Sequence, residues 1–470
     1  IGWMGNEYSN VNSPVGGVHV YARSTPGDYT SGWTYVQFIK SPTPLLGCKF
    51  GVGGHAGAGG VKVDSDTMVI SAMGWDAAWR NLGGYQIHSH TGITSSMSLD
   101  YASQPVLFGA ADGDLAGESV VVLDSGEALG AIGSGATAAS IVGSPNGNSG
   151  TGCVDVYIWG EDSSTAITST SLSNKVTTYG NQYTYGIPDP LLVNDTWQRV
   201  GATIIPPSDT YGQGNSQFGY SVAASSDGTT IAIGAPGVPG TYPYNGNGYG
   251  GSVYIYNWTG SVWDLEVRIR CPLGSGYDKN GNGNGRFGHS VSMSANGSRV
   301  VVGVPHYGSY PNTNGRVHVY GRVYAGSWTK MAEGVEQAGN GDLLTGVLDG
   351  STNNQSTAEF GRSVSMTSDG NRIVVGAPGY VYSEPGNLGN QNPDNGCAVV
   401  YDFAGTPAKW NKGNTPFTSA SIPHNTSSTS VSGGPSYGSK SGWSVAISGD
   451  GSRMVVGAPL YTSKYNSGYP

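Results

Sequence analysis

An all-β chain built from repeated four-stranded sheets is the fold class this sequence predicts, on three observations. The first is internal repetition. Phe218-Gly219-Tyr220-Ser221-Val222 leads through Ser-Asp-Gly to Ile233-Gly234-Ala235-Pro236, and Phe287-Gly288-His289-Ser290-Val291 leads through Ala-Asn-Gly to Val302-Gly303-Val304-Pro305. Phe360-Gly361-Arg362-Ser363-Val364 leads likewise to Val375-Gly376-Ala377-Pro378, and Gly442-Trp443-Ser444-Val445 to Val456-Gly457-Ala458-Pro459. A unit of about 65–100 residues recurring in this way buries its faces against its neighbours. The second observation is a hydrophobic period of two inside each unit, the alternation of a strand. The third is composition. Seventy-eight glycines in 470 residues, only 11% charged residues and abundant Tyr and Trp fit short strands joined by many turns. No Gly-X-Y period or low-complexity tract points to collagen or simple disorder.

Each unit resolves into four strands in a fixed order. The Phe-Gly strand comes first. A hairpin follows at Asp227-Gly228, Asn296-Gly297, Asp369-Gly370 and Asp450-Gly451, where the dipeptide is expected to supply the positive φ values of a type I′ turn. The Gly-Ala-Pro strand is second, and its Pro, with no N–H for a ladder, marks the exit into a loop. Third comes a Val-x-Val-Tyr strand: Val18-His19-Val20-Tyr21, Val154-Asp155-Val156-Tyr157, Val253-Tyr254-Ile255-Tyr256, Val317-His318-Val319-Tyr320 and Ala398-Val399-Val400-Tyr401, with a worn copy at Tyr85-Gln86-Ile87-His88. A Trp-bearing strand ends the unit, at Trp33, Trp197, Trp263, Trp328 and Trp410. Four-stranded sheets repeated several times read as blades of a β-propeller, with residues 1–470 as a single domain.

The blade count predicted is six. Ile1-Gly2-Trp3-Met4 looks like the tail of a Gly-Ala-Pro strand, and nothing after Pro459 supplies a third or fourth strand. Pairing of residues 17–40 with the strands at 442–460 would close the ring through one composite blade; seven blades with missing residues is the alternative. An insertion is expected at about 160–195, because the spacing between the third strands at Cys153 and Ser252 is too long for one unit.

These motifs resemble the FG-GAP repeats that build the propeller of integrin α chains. The resemblance is strong over residues 218–459. It is weaker before, where Phe50-Gly51 and Phe108-Gly109 keep the Phe-Gly pair but Ile70-Ser71-Ala72-Met73 and Ile141-Val142-Gly143-Ser144-Pro145 are degenerate. It implies a propeller that presents one loop face to ligands. Family members often hold calcium in an Asp-rich loop between the first two strands. Here that loop has shrunk to a hairpin with too few oxygens for calcium's six to eight ligands, so those sites do not carry over.

Charge and motifs exclude several functions. The net charge of −9 comes from scattered residues with no Lys/Arg run, which argues against nucleic acid. No apolar run approaches a membrane span, and Ile1 opens no signal peptide, so the chain reads as a mature or trimmed segment. Asn194, Asn257, Asn296, Asn354 and Asn425 each begin an Asn-x-Ser/Thr triplet, making them expected carriers of N-linked glycans on an extracellular or cell-surface protein. Cys48, Cys153, Cys271 and Cys397 show no Cys-x-x-Cys spacing, and their three possible pairings stay open.

No metal or other cofactor is expected. Asp278, Asn280, Asn282 and Asn284 alternate oxygen-bearing side chains in a Gly-rich loop, yet with one carboxylate and no bidentate Glu such a loop would hold a cation weakly. Asp112, Asp114 and Glu118 offer too few ligands, and His88 and His90 share a strand face at a repeat position of packing. Trp75 and Trp79 stand in a W-x-x-x-W spacing that packing explains. There is no H-E-x-x-H, G-x-S-x-G or P-loop, and no carboxylate pair stands out, so the chain is not expected to be an enzyme. Sparse charge with much Tyr, Asn and Gly suits contacts with copies of itself, other surface proteins or glycans. The function expected is an extracellular structural or adhesive glycoprotein, a building block of a coat, appendage or filament. The alternative is a receptor-like or lectin-like module that binds ligand on one loop face.

Overall fold

The computed structural model describes residues 2–3, 17–23, 33–40, 61–64, 67–72, 84–89, 106–108, 115–123, 136–160, 197–208, 216–238, 250–272, 285–307, 315–331, 358–380, 396–404, 409–412, 417–418 and 440–458. They form an all-β chain of antiparallel sheets in sequence order. The first sheet runs β1 (Gly2–Trp3), β2 (Gly17–Arg23), β3 (Trp33–Lys40). The second runs β4 (Val61–Asp64), β5 (Thr67–Ala72), β6 (Gly84–Ser89), β7 (Val106–Phe108), and the third β8 (Ser119–Leu123), β9 (Ala136–Ser144), β10 (Cys153–Gly160), β11 (Trp197–Arg199). In the fourth are β12 (Ser221–Ala224), β13 (Thr230–Ala235), β14 (Ser252–Trp258) and β15 (Trp263–Arg270); in the fifth, β16 (Ser290–Met293), β17 (Arg299–Val304), β18 (Arg316–Tyr324) and β19 (Ser327–Lys330). The sixth holds β20 (Ser363–Met366), β21 (Arg372–Ala377), β22 (Cys397–Ala404) and β23 (Lys409–Lys412), with β24 (Phe417–Thr418) also on β22. β25 (Ser444–Ile447) and β26 (Met454–Gly457) make a seventh, two-stranded sheet.

The four strand types appear in the predicted order. The Gly-Ala-Pro segments form β13, β17, β21 and β26, the Val-x-Val-Tyr segments are third strands, and Trp33, Trp197, Trp263, Trp328 and Trp410 fall in fourth strands. Both faces of the inner strands are buried, as the bulky alternation requires. Ile231 and Ile233 of β13 face a core shared with β9 and β10, whereas Ala232 faces the core built on Phe287, Val300 and Val302. The next sheet repeats this: Val301 of β17 turns to a core with Phe360, Ile373 and Val375. Apolar burial on two faces is the main attraction between consecutive sheets.

Three expectations are corrected. Residues 17–40 do not pair with 442–460 among the described residues: β1 takes the second-strand place beside β2, with Gly2 opposite Val18 and Trp3 opposite Gly17, and β25–β26 stand in a sheet of their own. Phe108-Gly109 is not a Phe-Gly turn. Phe108 ends β7 opposite Gly84, and Leu115-Ala116-Gly117-Glu118 makes the turn into β8. The hairpins are not type I′ turns. Gly228 N–H closes onto Ser225 O at 3.0 Å, and of residues 225–228 only Gly228 has a positive φ. A type I′ turn needs both central residues there. The Asp227 carboxylate instead receives Thr229 N–H at 3.0 Å, an Asx turn made with the residue's ordinary backbone. The insertion expected at 160–195 lies between β10 and β11, in residues 161–196, outside the described residues.

Candidate functional site

The four junctions from the third sheet to the seventh are built the same way. In the Phe-Gly turns the N–H of Tyr220, His289, Arg362 and Trp443 donates to the carbonyl of Gln217, Arg286, Glu359 and Lys440, at 3.0–3.1 Å. The Gly carbonyl so exposed accepts the Ser hydroxyl of the preceding sheet: Ser119 to Gly219 at 2.8 Å, Ser221 to Gly288 at 2.9 Å, Ser290 to Gly361 at 2.8 Å, Ser363 to Gly442 at 2.9 Å. The Gly of Gly-Ala-Pro lets that turn approach. A Cβ at Gly143, Gly234, Gly303 or Gly376 would lie 2.0–2.1 Å from the same carbonyl oxygens. The Phe is fully buried, and Phe287 and Phe360 each meet the Tyr of their own third strand edge-on at 6.2 Å.

Around this frame three positions vary; at the buried one, Ala116 and Ser441 stand where the other turns have Phe218, Phe287 and Phe360. The residue opening the turn is Leu115, Gln217, Arg286, Glu359 or Lys440, each half-buried at a φ of 52–59°. A side chain pays for that left-handed backbone where Gly would be unstrained. The residue after Gly is Glu118, Tyr220, His289, Arg362 or Trp443. Because first strands of neighbouring sheets lie side by side, these residues form a row. Tyr220 OH is 3.3 Å from His289 Nε2, with the rings 5.0 Å apart. Arg286 lies 4.9 Å over the Tyr220 ring and donates to Gln217 Oε1 at 3.1 Å. Arg362 stacks on Trp443 at 3.7 Å and is ion-paired to Glu359 at 2.9 Å. His306, beside Gly285 through its backbone, reaches the His289 ring at 6.4 Å. Burial, then Arg286 and Arg362, hold His289 neutral far below the ordinary imidazole range. Burial and Arg286 likewise lower His306, against an upward pull from Glu359. Burial pushes the Tyr220 phenol up to about 12. The row can donate and accept hydrogen bonds and present cationic and aromatic faces.

The sequence alone did not single out these residues. The signal was present: aligning the repeats leaves the positions on either side of the turn variable while Gly and Ser recur, with Phe in three of the five turns.

Other candidates are dispersed. Asn296 is exposed at its hairpin tip. Asn257 is half-buried, donates Nδ2 to Glu266 at 2.7 Å and accepts from Thr230 at 2.9 Å. Glu266 also receives Gly326 N–H at 2.8 Å, Trp328 Nε1 at 3.2 Å and the Arg322 guanidinium, which joins two sheets. Asn194, Asn354, Asn425 and the loop residues Asp278, Asn280, Asn282 and Asn284 lie outside the described residues, as do Cys48, His90, Asp112, Asp114, Trp75 and Trp79. Cys153, Cys271 and Cys397 are not joined to one another. At the last hairpin, Asp450 Oδ1 is filled by the Ser448 hydroxyl at 2.6 Å and Ser452 N–H at 2.9 Å. Among the described residues no group of three or more His, Cys, Asp or Glu is placed to hold a metal ion, and no helix is long and apolar enough to cross a membrane. No protein-family model matches the chain, and no curated protein matches it.

Proposed function

We propose that this chain is a β-propeller of the FG-GAP kind, with its seven sheets as blades, and that it serves outside the cell as a structural or adhesive glycoprotein. It carries no cofactor and catalyses no reaction. One observation carries the reading: the same Ser-to-Gly hydrogen bond recurs at four successive junctions, while the side chains beside it differ from one to the next. A scaffold locked at these four joints, presenting a row of differing polar and aromatic side chains, suits recognition by contact with copies of itself, other surface proteins or glycans. Low charge supports broad polar–aromatic contacts over a freely soluble monomer.

Sedimentation of the full chain across a concentration series tests this. Assemblies larger than one chain, growing with concentration, are the expected result. A clean monomer at high concentration with no partner contact above ~1,000 Å² overturns the building-block reading. The half-buried row of Gln217, Arg286, Glu359 and Lys440 favours a second reading, a binding module that uses this one end; a glycan or protein ligand held there by the monomer would make it the better account.

A further inference from the structure

We infer that the end of the fourth to sixth sheets carrying Arg286, His289, His306 and Arg362 is a binding site for an oxyanion group, a sulfate or carboxylate, of the kind an acidic glycan bears. The inference goes beyond the scaffold reading and stands without it. Its basis is a local charge opposite to that of the molecule. The chain has 31 Asp and Glu against 22 Lys and Arg, yet the guanidiniums of Arg286 and Arg362 gather here around the imidazoles of His289 and His306. Arg286, Arg316 and Arg362 each lie against an aromatic ring: Tyr220 at 4.9 Å, Tyr307 at 3.6 Å and Trp443 at 3.7 Å. Stacking holds a guanidinium plane in place and leaves its edge for a ligand. Among the described residues the carboxylates at this end are Glu359, already paired with Arg362, and Glu118, which acts on Tyr220.

Two of the arginines have donors to spare. Arg286 is half-exposed and has Gln217 and the Tyr220 ring as partners, with no ion pair among the described residues. Arg362 is more than nine-tenths buried, and its Nε has no hydrogen-bond partner. Such a donor costs free energy until something accepts from it. An oxyanion lying against Arg286 would accept charge-assisted bonds in the geometry guanidinium favours. It would also cancel much of the repulsion that Arg286 exerts on His289 and His306. Among the described residues the other groups facing these imidazoles are Arg362, Glu359 and the Tyr220 hydroxyl.

The experiment is a calorimetric titration of the full chain with sodium sulfate, a sulfated disaccharide and its unsulfated counterpart, at pH 7.5. Saturable binding of the sulfate-bearing probes and none of the neutral sugar is expected. Arg286→Gln should weaken binding at least about tenfold, and Arg453→Gln, at an exposed hairpin, should leave it unchanged. Sulfate binding as well as the disaccharide would identify a free-ion site, and a clear preference for the disaccharide a glycan site; both support the inference. Absence of saturable binding, or equal binding by Arg286→Gln, overturns it. Should Arg286→Gln not fold, the wild-type melting temperature decides. A rise that saturates with sulfate supports a site, whereas a rise linear in sulfate is general salt exclusion and counts against it. Sedimentation without added anion reports separately on self-association.

Discussion

Asn257 and Asn296 both open an Asn-x-Ser/Thr triplet, and their surroundings separate them. Asn296 stands exposed at a hairpin tip, where only its Oδ1 is engaged, by Ser294, Ser298 N–H and the Ser298 hydroxyl. The Asn257 Nδ2, the atom that would carry a sugar, donates to Glu266, and that carboxylate sits in a nearly buried knot with Arg322 and Trp328. Burial raises the Glu266 carboxyl, but hydrogen bonds from Arg322, Gly326 N–H and Asn257 outweigh it and leave the group below the ordinary range. A sugar on Asn257 would break one of those bonds. Mass spectrometry of the chain secreted from a eukaryotic host should find glycan on Asn296 and a bare Asn257. Glycan at Asn257 in folded protein would mean that this knot opens readily.

The joints between elements give sharper tests. In the fifth sheet, Ser290→Ala leaves the Gly361 carbonyl without its donor, at a cost of about 1–3 kcal/mol. Gly303→Ala puts a methyl 2.0 Å from that same oxygen, which is backbone and cannot swing aside. It should cost more than Ser290→Ala, about 3 kcal/mol or above. Urea unfolding of the two variants checks the order; the reverse would mean the turn shifts freely. The hairpins predict indifference to chelator. With its oxygens filled by Ser448 and Ser452, the Asp450 carboxyl is held down at about 2, by the Ser448 hydroxyl first and then by Ser452. A depressed carboxylate contributes stability present above its unfolded pKa of 3.8 and lost as pH falls towards 2. The melting temperature should therefore be unchanged by EDTA at pH 7, and the hairpins should loosen only in strong acid. A fall of many degrees in EDTA would reveal a metal site elsewhere in the chain.

At the scale of the molecule, His289, His306 and His318, three of the chain's eight histidines, lie in the segment that forms the fifth sheet and its loops. His318 is buried between Phe287 and Tyr320 with neither ring nitrogen hydrogen-bonded. Burial first, then Lys330 and Arg316, hold its pKa well below 6.5, and His289 is lowered in the same direction. Both imidazoles are therefore neutral in the fold but can take a proton once unfolded. Stability is complete above about pH 6.5 and falls below it, by up to about 1.4 kcal/mol per pH unit for each group. Urea midpoints at pH 7.5 and 5.5 should differ accordingly, and His318→Phe should reduce the difference. A midpoint independent of pH over that range would show that the fifth sheet lets solvent reach these rings. Ring closure, in contrast, does not follow from the paired strands: β2 is taken by β1, and among the described residues β26 pairs with β25 alone.

The sequence by itself determined the repeated unit: four strands in fixed order, the Asp-Gly and Asn-Gly hairpins, and Val-x-Val-Tyr and Trp strands at third and fourth place. These are local properties, set by alternation and turn chemistry within a few residues. Tertiary structure decided what depends on distant partners. That Ala116-Gly117 rather than Phe108-Gly109 turns into the third sheet rests on Gly117 N–H meeting Gly143 O at 3.1 Å. That β1 rather than β26 lies beside β2 is a matter of strand competition, which repeat similarity cannot settle because both segments have the same pattern. The row from Glu118 to Trp443 likewise exists only because first strands of successive sheets stand side by side; its members are roughly 70–100 residues apart along the chain, beyond the reach of any local motif.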